Sequence, residues 1–220
     1  MTRSGSAQAA RNARLAELLR DTKIIPVITI DRVEDAVPLA RALVAGGLRL
    51  LEITLRTPAA PEAAAAVVAQ VPDAVVGIGT VLGPDDLARA RALGAQFALS
   101  PGATPALLEA AAAETMPVIP GIATASELMR AMDFGFGTCK FFPAVPAGGP
   151  AALKALAGPF PDARFCPTGG VDEGNFREWL ALSNVVVVGG SWIAPTADIR
   201  AGAWSAITER ARRAVGALRA

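Results

Sequence analysis

The sequence contains no histidine and no tyrosine. That excludes Ser-His-Asp and Cys-His nucleophile pairs, histidine-ligated metals, and either residue as a proton carrier. Proton transfer is left to carboxylates, lysine or cysteine. Lysine is scarce too: of the 21 cations only Lys23, Lys140 and Lys154 are lysine, the rest arginine. Each lysine in so arginine-rich a chain calls for a reason. The two cysteines, Cys139 and Cys166, lie in separate apolar segments without CxxC spacing. They read as buried reduced thiols rather than a disulfide or metal site. No stretch of 18 residues is apolar and free of Gly, Pro and charge, so no membrane span is expected. Residues 1–10 have no apolar signal-peptide core, and the absences together point to the cytoplasm. The 21 basic and 20 acidic residues leave a net charge of +1, which gives no bulk electrostatic case for nucleic acid or a membrane surface.

What is present is a core. The 220 residues are 52% hydrophobic and 19% charged, enough to bury a large interior and far from a disordered composition. Short apolar runs alternate with Ala-rich helical stretches. Strands are expected at residues 24–30, 48–55, 74–78, 97–99, 117–119, 138–142, 164–167 and 184–188. Their starts are spaced by about 20 to 26 residues, the length of one βα unit. Helices are expected at 8–19 before the first strand, at 35–45, 62–70 and 85–93, after Thr104-Pro105, at 128–132 behind a Thr124–Glu127 capping box, at 173–182 capped by Asp172, and at 204–218. Eight strands each followed by a helix read as a (β/α)8 barrel with one additional N-terminal helix. A doubly wound open sheet is the rival. No G-x-G-x-x-G follows the first strand, and Gly77-Ile78-Gly79-Thr80 lacks the later glycine. No linker or low-complexity insert appears, so residues 1–220 read as a single domain with 1–7 as a tail.

In such a barrel the active site forms at the C-terminal strand ends. The second strand ends Leu51-Glu52-Ile53-Thr54-Leu55-Arg56. Alternation puts Glu52, Thr54 and Arg56 on one face, and if the apolar set meets the helices the polar set points inward. Charge there is costly unless paired or functional. In the sixth, Thr138-Cys139-Lys140-Phe141-Phe142-Pro143, a lysine stands mid-strand among aromatics. Desolvation and a nearby cation such as Arg56 favour its uncharged, nucleophilic form. Lys23 and Lys154 look like solvated surface. The seventh and eighth strands run into Pro167-Thr168-Gly169-Gly170-Val171-Asp172 and Gly189-Gly190-Ser191-Trp192. Glycine turns leading to helix starts make anion cradles, and these two loops are where barrels commonly hold phosphate. Gly79-Thr80, Ser100-Pro101-Gly102 and Pro120-Gly121 close other strands and also read as plain turns. Trp192 and Trp204 read as core or subunit contact.

Taken in order, Leu51 to Pro58, Gly77 to Leu82, Ser100-Pro101-Gly102, Pro120 to Thr124, Lys140 to Ala144, Pro167 to Gly170 and Gly189 to Trp192 closely resemble the 2-keto-3-deoxy-6-phosphogluconate (KDPG) aldolase family. The resemblance runs from about residue 24 to the C-terminus. It implies a (β/α)8 barrel, usually a homotrimer, that cleaves KDPG in the Entner–Doudoroff pathway by Schiff-base chemistry without metal or cofactor. Many members also cleave 4-hydroxy-2-oxoglutarate (KHG). On the matching positions it implies Lys140 as the Schiff-base lysine and Glu52 as the general acid/base. Arg56, Thr80 and Thr168 fall at the pyruvate carboxylate and carbonyl end, Pro101 and Phe142 on pocket walls, and Gly169, Gly170, Gly190 and Ser191 on the phosphate. Asp172 stands where many members have serine, and the N-terminal tail is longer. An aldolase selective for the galactonate-derived epimer would share every motif. A phosphate-binding barrel isomerase or synthase would share the glycine loops but would not need Lys140.

Overall fold

The computed structural model describes residues 3–218, with side chains from Gln8 onward. Its strands are β1 (Ile24–Ile28), β2 (Leu50–Thr54), β3 (Val75–Gly79), β4 (Phe97–Leu99), β5 (Val118–Ile119), β6 (Gly121–Ile122), β7 (Thr138–Phe141), β8 (Arg164–Pro167) and β9 (Val188–Gly190). All pairings are parallel, in the order β5-β4-β3-β2-β1-β9 and β6-β7-β8. Two features join these runs into a ring. The β5 and β6 segments are halves of one stave interrupted at Pro120, which has no N–H to give the ladder. Between β8 and β9 the bridges Phe165↔Val185 and Thr168↔Gly189 complete the circuit. Nine segments thus make eight staves of a closed (β/α)8 barrel.

Local signals place most helices as expected. Thr104 Oγ1 accepts from Leu107 N, and the Thr124–Glu127 capping box is formed in both directions. Several boundaries differ, among them these three. The first helix begins at Arg3 rather than residue 8, and residues 1–2 of the expected tail lie outside the described residues. Asp172 does not cap a helix directly. Its Oδ1 accepts from the N–H groups of Gly174 and Asn175, and the helix starts only at Phe176. The last strand starts at Val188, where the ladder to β1 begins with Ile24↔Val188, while the backbone of residues 184–186 bonds to Phe165 on the other side.

Two apolar interiors result. The larger packs helices against the outside of the barrel. The smaller lies inside it: Leu15 and Leu19 of the first helix pack with Ile25, Leu50, Phe97, Leu99, Ile119, Cys166 and Val187, closing the N-terminal end. Burying each leucine contributes about 1.5–3 kcal/mol. Arg11 tethers the same helix, donating to Ala112 O at 2.9 Å with its guanidinium 4.5 Å from the Phe136 ring centre. The floor is therefore sealed, and the polar strand ends face the other mouth.

Candidate active site

Alternation along β2 holds: Leu51 and Ile53 pack outward, while Glu52 and Thr54 are buried in the barrel. Arg56, just past the strand, reaches the solvent at the mouth. The space for Glu52 comes from the facing glycines of β3. A Cβ on Gly79 would lie inside contact distance of the Glu52 carboxylate, and one on Gly77 would strike the Phe97 ring. The Gly-x-Gly of β3 thus makes room inside a barrel and forms no phosphate loop.

Lys140 projects from β7 into the same space and is 3% exposed. Its Nζ donates to Glu52 Oε1 at 2.8 Å, while Glu52 Oε2 is buried with no partner among the described residues. The neighbour of Lys140 is therefore a carboxylate. Arg56, at the mouth, donates through Nε to Thr80 Oγ1 at 3.3 Å. A buried pair of this kind is held by mutual attraction against the desolvation of both charges, so it adds little net stability. The Phe142 ring stands 5.6 Å from Nζ.

Beside the pair lies Cys166, fully buried, its Sγ 3.8 Å from Thr168 Oγ1. Burial pushes its thiol up to about 12, with Lys140 opposing and Glu52 adding to the shift. It stays neutral and keeps the floor beneath the pair apolar. Thr80 has φ +61°, a left-handed conformation that costs a non-glycine residue about 1–2 kcal/mol. That turn aims its hydroxyl at Arg56.

Above the pair a cavity of about 90 Å³ opens at the mouth. Arg56, Phe142, Thr168, Gly169, Gly170, Gly190 and Ser191 line it together with Val27 and Val171. Gly169 (φ +96°) and Gly170 (φ +84°) are both left-handed, a turn glycine adopts without strain and one that can present backbone N–H groups to an anion. Seven residues singled out from the sequence thus line one wall, and Glu52, Lys140 and Thr80 adjoin it. Pro101 stands apart from that lining. It is half-buried at the end of β4, where its carbonyl leaves no room for a side chain at residue 121. Val27, Val171 and Cys166 were not picked out as site residues. Parity along the strands was the available signal, since Val27 shares a face with Ile25 and Cys166 with Thr168. Lys23 and Lys154 are exposed, as expected. Trp192 stacks on Phe176 with ring centres 5.8 Å apart.

A closed parallel barrel with an amine and a carboxylate paired at its centre and a glycine cradle at its mouth is an enzyme scaffold equipped for carbonyl chemistry. The family described as "Aldolase: KDPG and KHG aldolase" matches residues 15–210, and the chain belongs to it. It is 52% identical over 198 residues to the KHG/KDPG aldolase of Escherichia coli K12, covering 90% of this chain and 93% of the relative. Its identity to the 2-dehydro-3-deoxy-phosphogluconate aldolase of Dickeya dadantii is 53% over 199 residues, with the same coverage. Among solved structures it resembles the KDPG aldolase of Legionella pneumophila, described with pyruvate captured as a covalent carbinolamine. The TM-score is 0.86 at 46% identity, over 97% of this chain and 98% of that one.

Proposed function

We propose that this chain is a class I aldolase that cleaves KDPG to pyruvate and D-glyceraldehyde 3-phosphate, and KHG by the same route. The observation that carries the reading is the buried Lys140–Glu52 contact of 2.8 Å. Within that pair Glu52 takes a proton from the Lys140 ammonium, and the freed amine attacks the C2 ketone. The C–N bond forms and the carbonyl oxygen leaves as water, carrying two of the three ammonium protons by way of Glu52. The product is a protonated imine. Glu52, again a carboxylate, accepts the proton of the C4 hydroxyl. The C3–C4 bond breaks, its electrons flow into the imine to make an enamine, and the aldehyde departs. Glu52 returns its proton to C3, and water hydrolyses the imine to pyruvate and the lysine. A positioned acid/base of this kind contributes about 10²–10⁴-fold in rate.

Arg56, oriented by Thr80, holds the substrate carboxylate, which brings the ketone to the amine. Thr168 supports that end, with Phe142 and Pro101 as walls. Gly169, Gly170, Gly190 and Ser191 receive the phosphate. The reaction requires no metal, so chelators leave the rate unchanged. The active form is a homotrimer of one-domain chains, checked by sedimentation equilibrium, working in the cytoplasm on the Entner–Doudoroff route.

The test is borohydride reduction in the presence of pyruvate, followed by peptide mapping. A pyruvyl adduct on Lys140 with loss of activity is expected. Folded protein with excess pyruvate and no adduct overturns the mechanism in favour of a phosphate-binding isomerase or synthase. Rates on KDPG and its galactonate-derived epimer then decide C4 preference, with KDPG expected to be faster.

A further inference from the structure

The strand register places Thr29 in the barrel mouth. β1 pairs with β2 as Val27↔Glu52 and Ile28↔Ile53, so the next residues in line are Thr29 and Thr54. Their Oγ1 atoms lie 3.3 Å apart. Thr54 sits between Glu52 and Arg56 on the inward face of β2, and half-buried Thr29 shares that space. Thr54 Oγ1 donates its proton to Ile28 O at 2.8 Å. A hydroxyl has one proton, so Thr29 is the donor in the contact between the two threonines. The Thr29 oxygen then has its lone pairs to offer, and of the two threonines Thr29 is the one not fully buried. One pleat below, Val27 lines the cavity of Gly169, Gly170 and Ser191. Thr29 follows Val27 on the same face of β1, one pleat nearer the mouth at which that cavity opens.

We propose that Thr29 is a specificity-determining residue. Its oxygen accepts a hydrogen bond from a hydroxyl on the carbons between the cleaved bond and the phosphate, and it disfavours a substrate carrying a carboxylate there. The inference rests on the aldolase reading above. KDPG has a hydroxyl to donate in that stretch, whereas KHG ends in a carboxylate that meets the Thr29 lone pairs.

The experiment compares kcat/KM on both substrates for the wild type, Thr29→Val and Thr29→Ser. Thr29→Val is isosteric and is expected to lower kcat/KM for KDPG by about three- to tenfold, the effect of losing one neutral hydrogen bond. It leaves the KHG value unchanged or raises it. Thr29→Ser restores the wild-type ratio. A Thr29→Val variant that forms the borohydride-trapped pyruvyl adduct on Lys140 but loses both activities equally, or neither, overturns the proposal. If Thr29→Val does not fold, Thr29→Ser decides: a changed ratio overturns the proposal and an unchanged one supports it. A wild type inert on both substrates overturns the aldolase reading instead.

Discussion

Lys140 and Glu52 meet at 2.8 Å from staves on opposite sides of the barrel. β2 and β7 stand four places apart in a ring of eight, so each residue reaches the axis from its own side. Closure of the ring, and no local element, makes the contact.

The pair is costly to break from one side. Lys140→Met leaves Glu52 buried with neither oxygen partnered. The expected loss is about 3–5 kcal/mol of folding stability. Lys140→Met combined with Glu52→Gln recovers most of it. Urea unfolding of the two variants decides, and a single variant as stable as wild type shows that the contact is not energetically coupled.

Glu52→Gln keeps the room at the centre but removes the acid/base. Pyruvyl adduct formation is expected to slow without ceasing, since Glu52 no longer relays the ammonium protons, while turnover falls by about 10²–10⁴-fold. An unchanged aldolase rate assigns proton transfer to another group.

Gly79→Ala should act on the same carboxylate without touching its chemistry. The added methyl falls 2.6 Å from Glu52 Cγ and 2.8 Å from Cδ, so the side chain must move. Misplacement on this scale lowers kcat by about 10²-fold. Rate measurements with substrate saturating are the check, and a wild-type kcat shows that Glu52 has freedom to spare.

Ser191→Ala should raise KM for the phosphorylated substrate by about tenfold or more, the effect of one hydrogen bond to a charged group. KM for a non-phosphorylated substrate should stay put. Equal effects on both remove Ser191 from the phosphate cradle.

The thiols predict an alkaline limit. Burial pushes Cys139 and Cys166 from about 9 up to about 12 in the folded protein. The folded state keeps these protons after the unfolded state has released them. The associated stability is complete below pH 9 and is lost as pH rises toward 12. The slope reaches about 1.4 kcal/mol per pH unit for each thiol. Urea unfolding at pH 8 to 11 should show it, and Cys139→Val should flatten part of it. Identical slopes for both proteins reject the assignment.

Much of this molecule was legible along the chain because its causes are local. Turn glycines, the Thr124–Glu127 box and the Pro105 helix start act within a few residues. The alternation of Glu52, Thr54 and Arg56 follows from the two-residue period of a strand. Those features sufficed for an eightfold βα chain, an inward carboxylate and an inward lysine. Which charge meets that lysine was not legible. The sequence offered both Glu52 and Arg56 on the inward face of β2, and Arg56, past the strand end, bonds Thr80. Glu52, four residues deeper and inside β2, is the charge whose contact with Lys140 the closed barrel makes. The late start of β9, the broken stave at Pro120 and the service of Gly77 and Gly79 as space for Phe97 and Glu52 have the same origin. Each depends on what the closed ring brings opposite a residue from distant parts of the chain. Local propensity sets which face a side chain takes. Only barrel closure sets what it finds there.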